Sequence, residues 1–321
     1  MTRLSIIIRC YNEEEHIGRL LSGIMKQSEK EVEIIIVDSG STDQTVNIAK
    51  QFPIKLVSIQ PEQFSFGRSL NLGCRVANGD ILVFASAHVY PVYDDWLAEL
   101  LAPFQDNSVA LVYGCQRGNE VTKFSEHQIF ARWFPSESNF KQEHPFCNNA
   151  NVAIRKSLWE ELPYDERLTG LEDIAWAKEI LARGHLIAYN AKAEIIHVHD
   201  ETASRVFNRY RREAIAMKTI FPDADFTFWS FLKLFVKNTI ADYYYSVKEQ
   251  SLFENFSDIF KFRLMQFWGT FKGYQQKNLT IGVLRQTLYY PRDLRANKTP
   301  SEADIRVRKA INYKDSSKVT T

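Results

Sequence analysis

The chain has 321 residues, of which 45% are hydrophobic and 25% charged, an ordinary composition for one large folded domain or two modest ones. Forty Lys and Arg against 39 Asp and Glu leave a formal net charge of +1, so the basic excess of a charge-driven nucleic-acid binder is missing and no nucleic-acid partner is expected. Cys10, Cys74, Cys115 and Cys147 stand far apart without a Cys-x-x-Cys pair, which suggests neither a zinc site nor a disulfide scaffold and fits a reducing cytosol.

The opening MTRLSIIIRCYNEEE carries an apolar run too short for a signal peptide. No stretch approaches the roughly 20 apolar residues that cross a bilayer. The expectation is a cytoplasmic protein, with peripheral contact at the inner face of the cell membrane left open. Apolar, β-branched runs predict strands over residues 4–8, 34–37, 55–59, 81–85 and 109–113. Helix-like stretches at 13–26, 43–51, 68–77 and 94–104 lie between them. In Ser41-Thr42-Asp43 a side-chain oxygen can accept a backbone N–H where the second helix starts. Continuous apolar strands separated by crossover helices indicate a parallel sheet covered on both faces. A further strand is expected at 194–199.

Past Phe221 the character changes. Between Phe226 and Tyr290 lie 18 of the 42 aromatic residues, with Lys and Arg among them, and 227–245 and 256–274 read as amphipathic helices. Such helices would cover the first domain, join two copies in a homodimer, or sit at a membrane interface. From Arg295 the chain is polar with a basic surplus, as in a surface tail. The expected division is 1–222, an α/β nucleotide-binding domain; 223–294, an aromatic-rich helical region; and 295–321, a polar tail.

In open α/β sheets ligands sit outside the carboxyl ends of the strands, so polar residues there matter most. The first strand runs into Arg9-Cys10-Tyr11-Asn12-Glu13 and the second into Asp38-Ser39-Gly40-Ser41-Thr42-Asp43. A strand-end Asp can accept from the imide N–H of a pyrimidine, Tyr11 offers a stacking face, and a Gly40 turn lets the backbone approach a ligand. The blander alternative is that Asp38 and Ser41 only cap the next helix. Arg68, near the start of the third helix, suits a diphosphate because guanidinium and free N–H groups both favour anions.

The runs IIIRCYNEE, VDSGSTDQT and FGRSLNLGCRVANGDILVFASAHVYP, followed by FCNNANVAIRKSLWEELPYDE, GLEDIAWAKEILARG and IIHVHDETASRVFNRYRRE, resemble inverting family-2 glycosyltransferases. Their order and spacing are closest to the bacterial rhamnosyltransferase-like branch, and the likeness extends to about residue 215. It implies the GT-A nucleotide-sugar-binding fold, a mostly parallel sheet with helices on both faces, here with an α-helical C-terminal region. It also implies transfer of a sugar from a UDP-, dTDP- or GDP-linked donor to a hydroxyl of a glycan or lipid-linked acceptor, as in bacterial capsule, O-antigen or exopolysaccharide synthesis. On matching positions, Arg9, Tyr11, Glu13, Asp38 and Ser41 would serve the nucleoside side, and Arg68 the diphosphate and donor sugar. Ser86, His88 and Asn149 would also line the donor site. The catalytic base falls within Glu172-Asp173, with Asp173 the choice. An acidic pair opening a helix lies beside free N–H groups that favour the ionised form a base needs.

One departure stands out. Most relatives carry Asp-x-Asp after the fourth strand to bind a divalent ion on the donor phosphates, whereas this chain reads Ser86-Ala87-His88. Three readings follow: His88 ligates Mn²⁺, which suits imidazole better than Mg²⁺ does; the enzyme needs no metal; or the protein is a catalytically silent sugar-nucleotide-binding assembly subunit. His197 and His199 alternate in the expected strand and face one way, and His199 with His88 would make a partial metal site. Arg205, Arg209 and Arg212 share a helical face that would meet phosphates, anionic lipid or only solvent. Gln116-Arg117 would contact acceptor or donor, and Trp176 would pack in the core or stack on the acceptor.

Overall fold

The computed structural model describes residues 3–276 and 308–313. The first half alternates as expected: β1 (Leu4–Cys10), α1 (Ile17–Met25), β2 (Val32–Asp38), α2 (Thr45–Ala49), β3 (Ile54–Ser58), α3 (Phe66–Val76) and β4 (Ile81–Ser86). Then come β5 (Val89–Pro91), α4 (Trp96–Leu101), β6 (Val109–Arg117), α5 (Phe124–Trp133), β7 (Asn139–Gln142), β8 (Asn151–Arg155), α6 (Lys156–Glu161), α7 (Glu172–Ala182) and β9 (Leu186–His197). Three long helices close the described chain: α8 (Ala203–Ile220), α9 (Phe228–Lys248) and α10 (Leu252–Tyr274).

The unbroken apolar strands have a simple cause. Successive side chains point to opposite faces, and both faces are covered. Ile6 and Ile8 of β1, Ile34 and Ile36 of β2, and Val83 of β4 join one core beneath α1 and α4, with Leu20, Leu21, Trp96 and Leu97. Ile7, Ile35, Val37, Leu82 and Phe84 join the other, beneath α3 and α7, with Leu70, Trp176 and Ile180. Trp176 is therefore a core residue, its indole N–H donating to the Leu162 carbonyl at 2.7 Å.

The strand order is β3-β2-β1-β4-β8-β6-β9-β5, with β7 also on β9. β3, β2, β1 and β4 are parallel, while β8 runs antiparallel between β4 and β6. The far half of the sheet is thus mixed. The chain leaves β1 toward β2 and returns to place β4 on the other side, so the order reverses at β1 and opens a crevice at its carboxyl end. There Cys10 is opposite Asp38 and Arg9 opposite Ser86. The strand expected at 194–199 is the end of twelve-residue β9, and His199 lies two residues beyond it.

The helical C-terminal region grips the sheet domain through α8. A Cβ at Gly269 would stand 2.5 Å from the Phe207 carbonyl oxygen, and one at Gly273 2.5 Å from that of Arg211. Two hydrogen side chains one turn apart let α10 and α8 touch backbone to backbone. Inside, Asp242 of α9 and Arg263 of α10 form a buried pair at 2.7 Å, and Asp242 also accepts from Ser125 Oγ of α5 at 2.5 Å. Part of the expected tail packs back as well. Ala310 bridges to Tyr93, Ile311 N–H donates to the Val92 carbonyl at 3.0 Å, and Tyr313 donates to the Pro91 carbonyl at 2.7 Å. The rest of 295–321 and residues 277–294 lie outside the described residues.

Ile7 is fully buried between β2, β4 and α3, with no room for rearrangement against Gly73. Ile7→Ala is expected to lower unfolding free energy by about 2–5 kcal/mol, read as a shift of the urea midpoint at unchanged slope.

Candidate active site

Two clusters meet at the carboxyl end of β1. The first gathers around the start of α7. Leu171 takes a left-handed conformation (φ 57°) and turns the chain so that Glu172 and Asp173 open the helix facing inward. Glu172 Oε1 accepts from Arg9 Nη1 at 3.1 Å and from Asn149 Nδ2 at 3.2 Å. Asp173 Oδ2 accepts the Asn149 backbone N–H at 2.8 Å, and its Oδ1 accepts the Ile174 N–H at 2.8 Å. Asn149 therefore holds the acidic pair from behind. Asp173 is only 8% exposed. Burial and then the Glu172 charge push its carboxyl up to about 7, against the pull of those two N–H groups and of Arg9. The helix start alone does not decide its ionisation, because burial beside a second carboxylate outweighs it.

On the nucleotide side, the β1 and β2 loops are stitched together. Asp38, at the end of β2, accepts the N–H groups of Gly40 at 3.1 Å and Ser41 at 3.2 Å, with Gly40 at φ 87°. Ser41 Oγ accepts the Asn12 N–H at 2.9 Å, and Asn12 Oδ1 accepts the Thr42 N–H at 2.8 Å. Asp43, two residues before the start of α2, accepts the Thr45 N–H at 2.9 Å. Asp38 and Ser41 therefore do not cap the next helix as in the blander alternative; they tie the β1 and β2 loops together and shape the crevice wall where half-buried Tyr11 lies. Helix α3 starts at Phe66, earlier than expected, with Ser65 Oγ accepting the Arg68 N–H at 3.2 Å. The Arg68 guanidinium reaches Glu166 at 3.5 Å, while its buried Nε has no hydrogen-bond partner. Phe66 carries two guanidinium groups over its ring, Arg9 at 4.7 Å and Arg212 at 4.6 Å.

The second cluster is histidine. His88 Nδ1 meets Glu13 Oε1 at 2.8 Å, His197 Nδ1 meets Gln116 Oε1 at 2.8 Å, and His199 Nδ1 meets Glu126 Oε1 at 2.7 Å. The Nε2 atoms of His197 and His199 are 2.9 Å apart, and the His88 ring stacks on His197 at 5.1 Å. One ring nitrogen of each of the three lies within 4.8 Å of the others. Burial pulls His88 toward neutrality, but the Glu13 carboxylate prevails and raises it above its ordinary value. Burial, then the His199 and His88 rings, hold His197 well below its own. Glu126 is raised by burial yet drawn down to about 2 by Arg209 and His199. Arg209 spans Glu126 at 2.6 Å and Glu201 at 2.7 Å, so it is committed inside the fold and does not share an open face with Arg205 and Arg212.

Residues 5–162 match the family profile described as Glycosyl transferase family 2. Residues 5–162 thus carry a glycosyltransferase family 2 domain. The chain is 29% identical over 224 residues to the O-antigen chain rhamnosyltransferase WbaN of Salmonella anatum, covering 65% of this chain and 70% of that protein. It is 28% identical over 222 residues to the O-antigen chain rhamnosyltransferase RfbN of Salmonella typhimurium, with the same coverage of 65% and 70%. Among solved structures it aligns with a mannosyltransferase of Pyrobaculum calidifontis in complex with GDP-Man and Mn²⁺, at TM-score 0.58 and 18% identity over 89% of this chain and 86% of that one. Glucosyl-3-phosphoglycerate synthase of Mycobacterium tuberculosis, in complex with Mn²⁺, UDP and glucosyl-3-phosphoglycerate, aligns at TM-score 0.52 and 21% identity over 70% and 81%. The shared fold is GT-A.

In this glycosyltransferase, the structure brings together Arg9, Asn149, Glu172 and Asp173 as one group, and His88, His199 and Glu13 as another. Ser86, half-buried at the end of β4, lies opposite Arg9. Glu13, expected at the nucleoside, bonds His88 through its carboxylate. His197, expected only to face the same way as His199, lies with His88 and His199, and Glu126, which no motif singles out, bonds His199. Gln116, expected as a substrate contact, bonds His197. The available signal was the alternation that puts His197 and His199 on one side; nothing local marks Gln116 or Glu126 as their partners. The Asp173 carboxyl should gain its ionised form only as pH rises through about 7. A carbon-13 NMR titration of the side chain is expected to show that midpoint, and Arg9→Gln to move it upward by removing a cation that draws it down.

Proposed function

We propose that this enzyme is an inverting glycosyltransferase that moves a sugar from a nucleoside diphosphate to a hydroxyl of a glycan or lipid-linked acceptor in the synthesis of a bacterial surface polysaccharide. The acidic pair at the start of α7 carries the reading, together with the rhamnosyltransferase names of the two Salmonella relatives. Residues 1–222 hold the catalytic groups. Asp173, buried and raised to about 7, is poised near neutrality to take the acceptor proton as the oxygen attacks the anomeric carbon from the face opposite the diphosphate. Glu172 and Arg9 position it, Asn149 fixes its rotamer, and Asp38 and Tyr11 border the nucleoside crevice. Arg68 and His88 would meet the charge that develops on the diphosphate. The three converging imidazoles fit a divalent cation, with His88, His197 and His199 as the residues that would hold it. When bound, such an ion supplies positive charge to the donor phosphates.

Asp173→Asn is expected to leave nucleotide binding nearly intact by calorimetry while lowering kcat by about 10²–10⁴-fold. Unchanged turnover would remove Asp173 as the base. A silent binding subunit, by contrast, would show no transfer or donor hydrolysis in the parent protein either.

The outward face of α9 supports peripheral contact with an anionic lipid surface. Trp229, Leu232, Val236, Ile240, Tyr244 and Val247 recur at helical spacing and are all exposed, Trp229 by 74% and Ile240 by 63%. The exposed charges of this helix are Lys233, Lys237 and Lys248, because its one acid, Asp242, is buried against Arg263. Two copies meeting through this face would set lysine against lysine, whereas anionic headgroups complement it. No described helix is long and apolar enough to cross a membrane. The protein is expected to sediment with phosphatidylglycerol vesicles and not with phosphatidylcholine vesicles, and to lose binding in W229E/I240E. A dimer in sedimentation that the same double variant dissociates would overturn this assignment.

A further inference from the structure

We infer that His88, His197 and His199 form an all-imidazole site for a transition-metal dication that rejects Mg²⁺, with Glu13, Gln116 and Glu126 as its orienting residues. The inference deepens the cation reading above and names the class of ion.

The argument starts from the ring nitrogens that face away from the cluster. Each Nδ1 is bonded to an oxygen on a different element: Glu13 after β1, Gln116 in β6 and Glu126 in α5, at 2.8, 2.8 and 2.7 Å. A carboxylate or amide oxygen only accepts, so with these partners Nδ1 carries the proton and the Nε2 lone pair is turned inward. This is the outer arrangement that metal-binding histidines commonly show, one acceptor per ring.

The inward nitrogens then have a problem that a cation solves. The Nε2 atoms of His197 and His199 stand 2.9 Å apart. Two lone pairs at that separation repel. Two nitrogens each about 2.05 Å from one ion and about 90° apart are themselves about 2.9 Å apart, the spacing of neighbouring positions in a six-coordinate shell. The His88 nitrogen, within 4.8 Å of both, supplies the third ligand from the segment that replaces Asp-x-Asp. The remaining positions would be left to donor phosphate oxygens and water. The rival grouping of Glu126, His199 and Glu201 is not a cation site, because Arg209 already bonds both carboxylates.

Ligand type decides selectivity. Mg²⁺ takes oxygen donors and keeps its waters, whereas imidazole suits Mn²⁺, Co²⁺, Ni²⁺ and Zn²⁺, with affinity rising along that series toward copper. Replacing carboxylates by three imidazoles shifts the site toward those ions.

The test uses the full chain stripped of metal, without nucleotide, so that it does not depend on transferase activity. Titration with Co²⁺ is expected to give one bound ion per chain and visible absorption bands of nitrogen ligation, with Mg²⁺ at least 100-fold weaker. H88A and H197A should each abolish the bands. Substitution at Gln116 leaves all three ligands in place: Q116L should weaken Co²⁺ about 10–100-fold, and Q116E, which keeps an acceptor on Nδ1, should restore it. Absence of stoichiometric Co²⁺ binding, or equal affinity in H88A, would overturn the inference and leave a proton shared between His197 and His199. Nucleotide titration in EDTA separates the two readings: binding there keeps the transferase assignment standing even if the metal site falls.

Discussion

The Arg9–Glu172 ion pair ties the end of β1 to the start of α7 across 163 residues of sequence. Two carboxylates, Glu172 and Asp173, are buried side by side, an arrangement that charge repulsion and desolvation oppose. Arg9 offsets that cost on one side and the Asn149 amide offsets it on the other. With this tie made, the helix that carries the candidate base cannot drift from the sheet that carries the nucleotide crevice. Arg9 also spreads over Phe66, and Arg212 of α8 lies over the same ring, so α3 and α8 are drawn to the same point.

The same strand end organises the histidines. Glu13 lies just past β1 and bonds His88, which follows β4, the neighbour of β1 in the sheet. Across the sheet, β9 delivers His197 and His199, and α5 delivers Glu126. Helix α5 is in turn held by the buried Ser125–Asp242–Arg263 network of the C-terminal helices. The aromatic region is therefore more than a cover. It fixes the helix whose next residue, Glu126, orients a histidine of the candidate site.

Much of this was legible beforehand. The doubled apolar runs announced a sheet buried on both faces, and the acidic pair and the Ser-Ala-His replacement stood out by motif. Boundaries were less visible. The stretch 13–16 lies before α1, since Glu13 and its neighbours are engaged in loop bonds to Thr45 and Asp43. The mixed half of the sheet escaped notice because β8 is as apolar as its parallel neighbours, and strand direction leaves no mark on composition. The tail was read as surface from its polarity, yet Ile311 and Tyr313 extend contacts beside β5.

The sequence by itself determined the fold class, the two-faced core and the residue types that the chemistry needs, because these follow from periodicity and from side chains fixed at strand ends. Only the tertiary structure decided which partner each of them takes. Glu13 meets His88 rather than the open crevice, Arg209 is spent on Glu126 and Glu201, and Gln116 and Glu126 orient rings about 80 positions away (81 and 73 residues). Such pairings depend on strand order and register, which are set by the packing of the whole sheet and leave no local pattern to read.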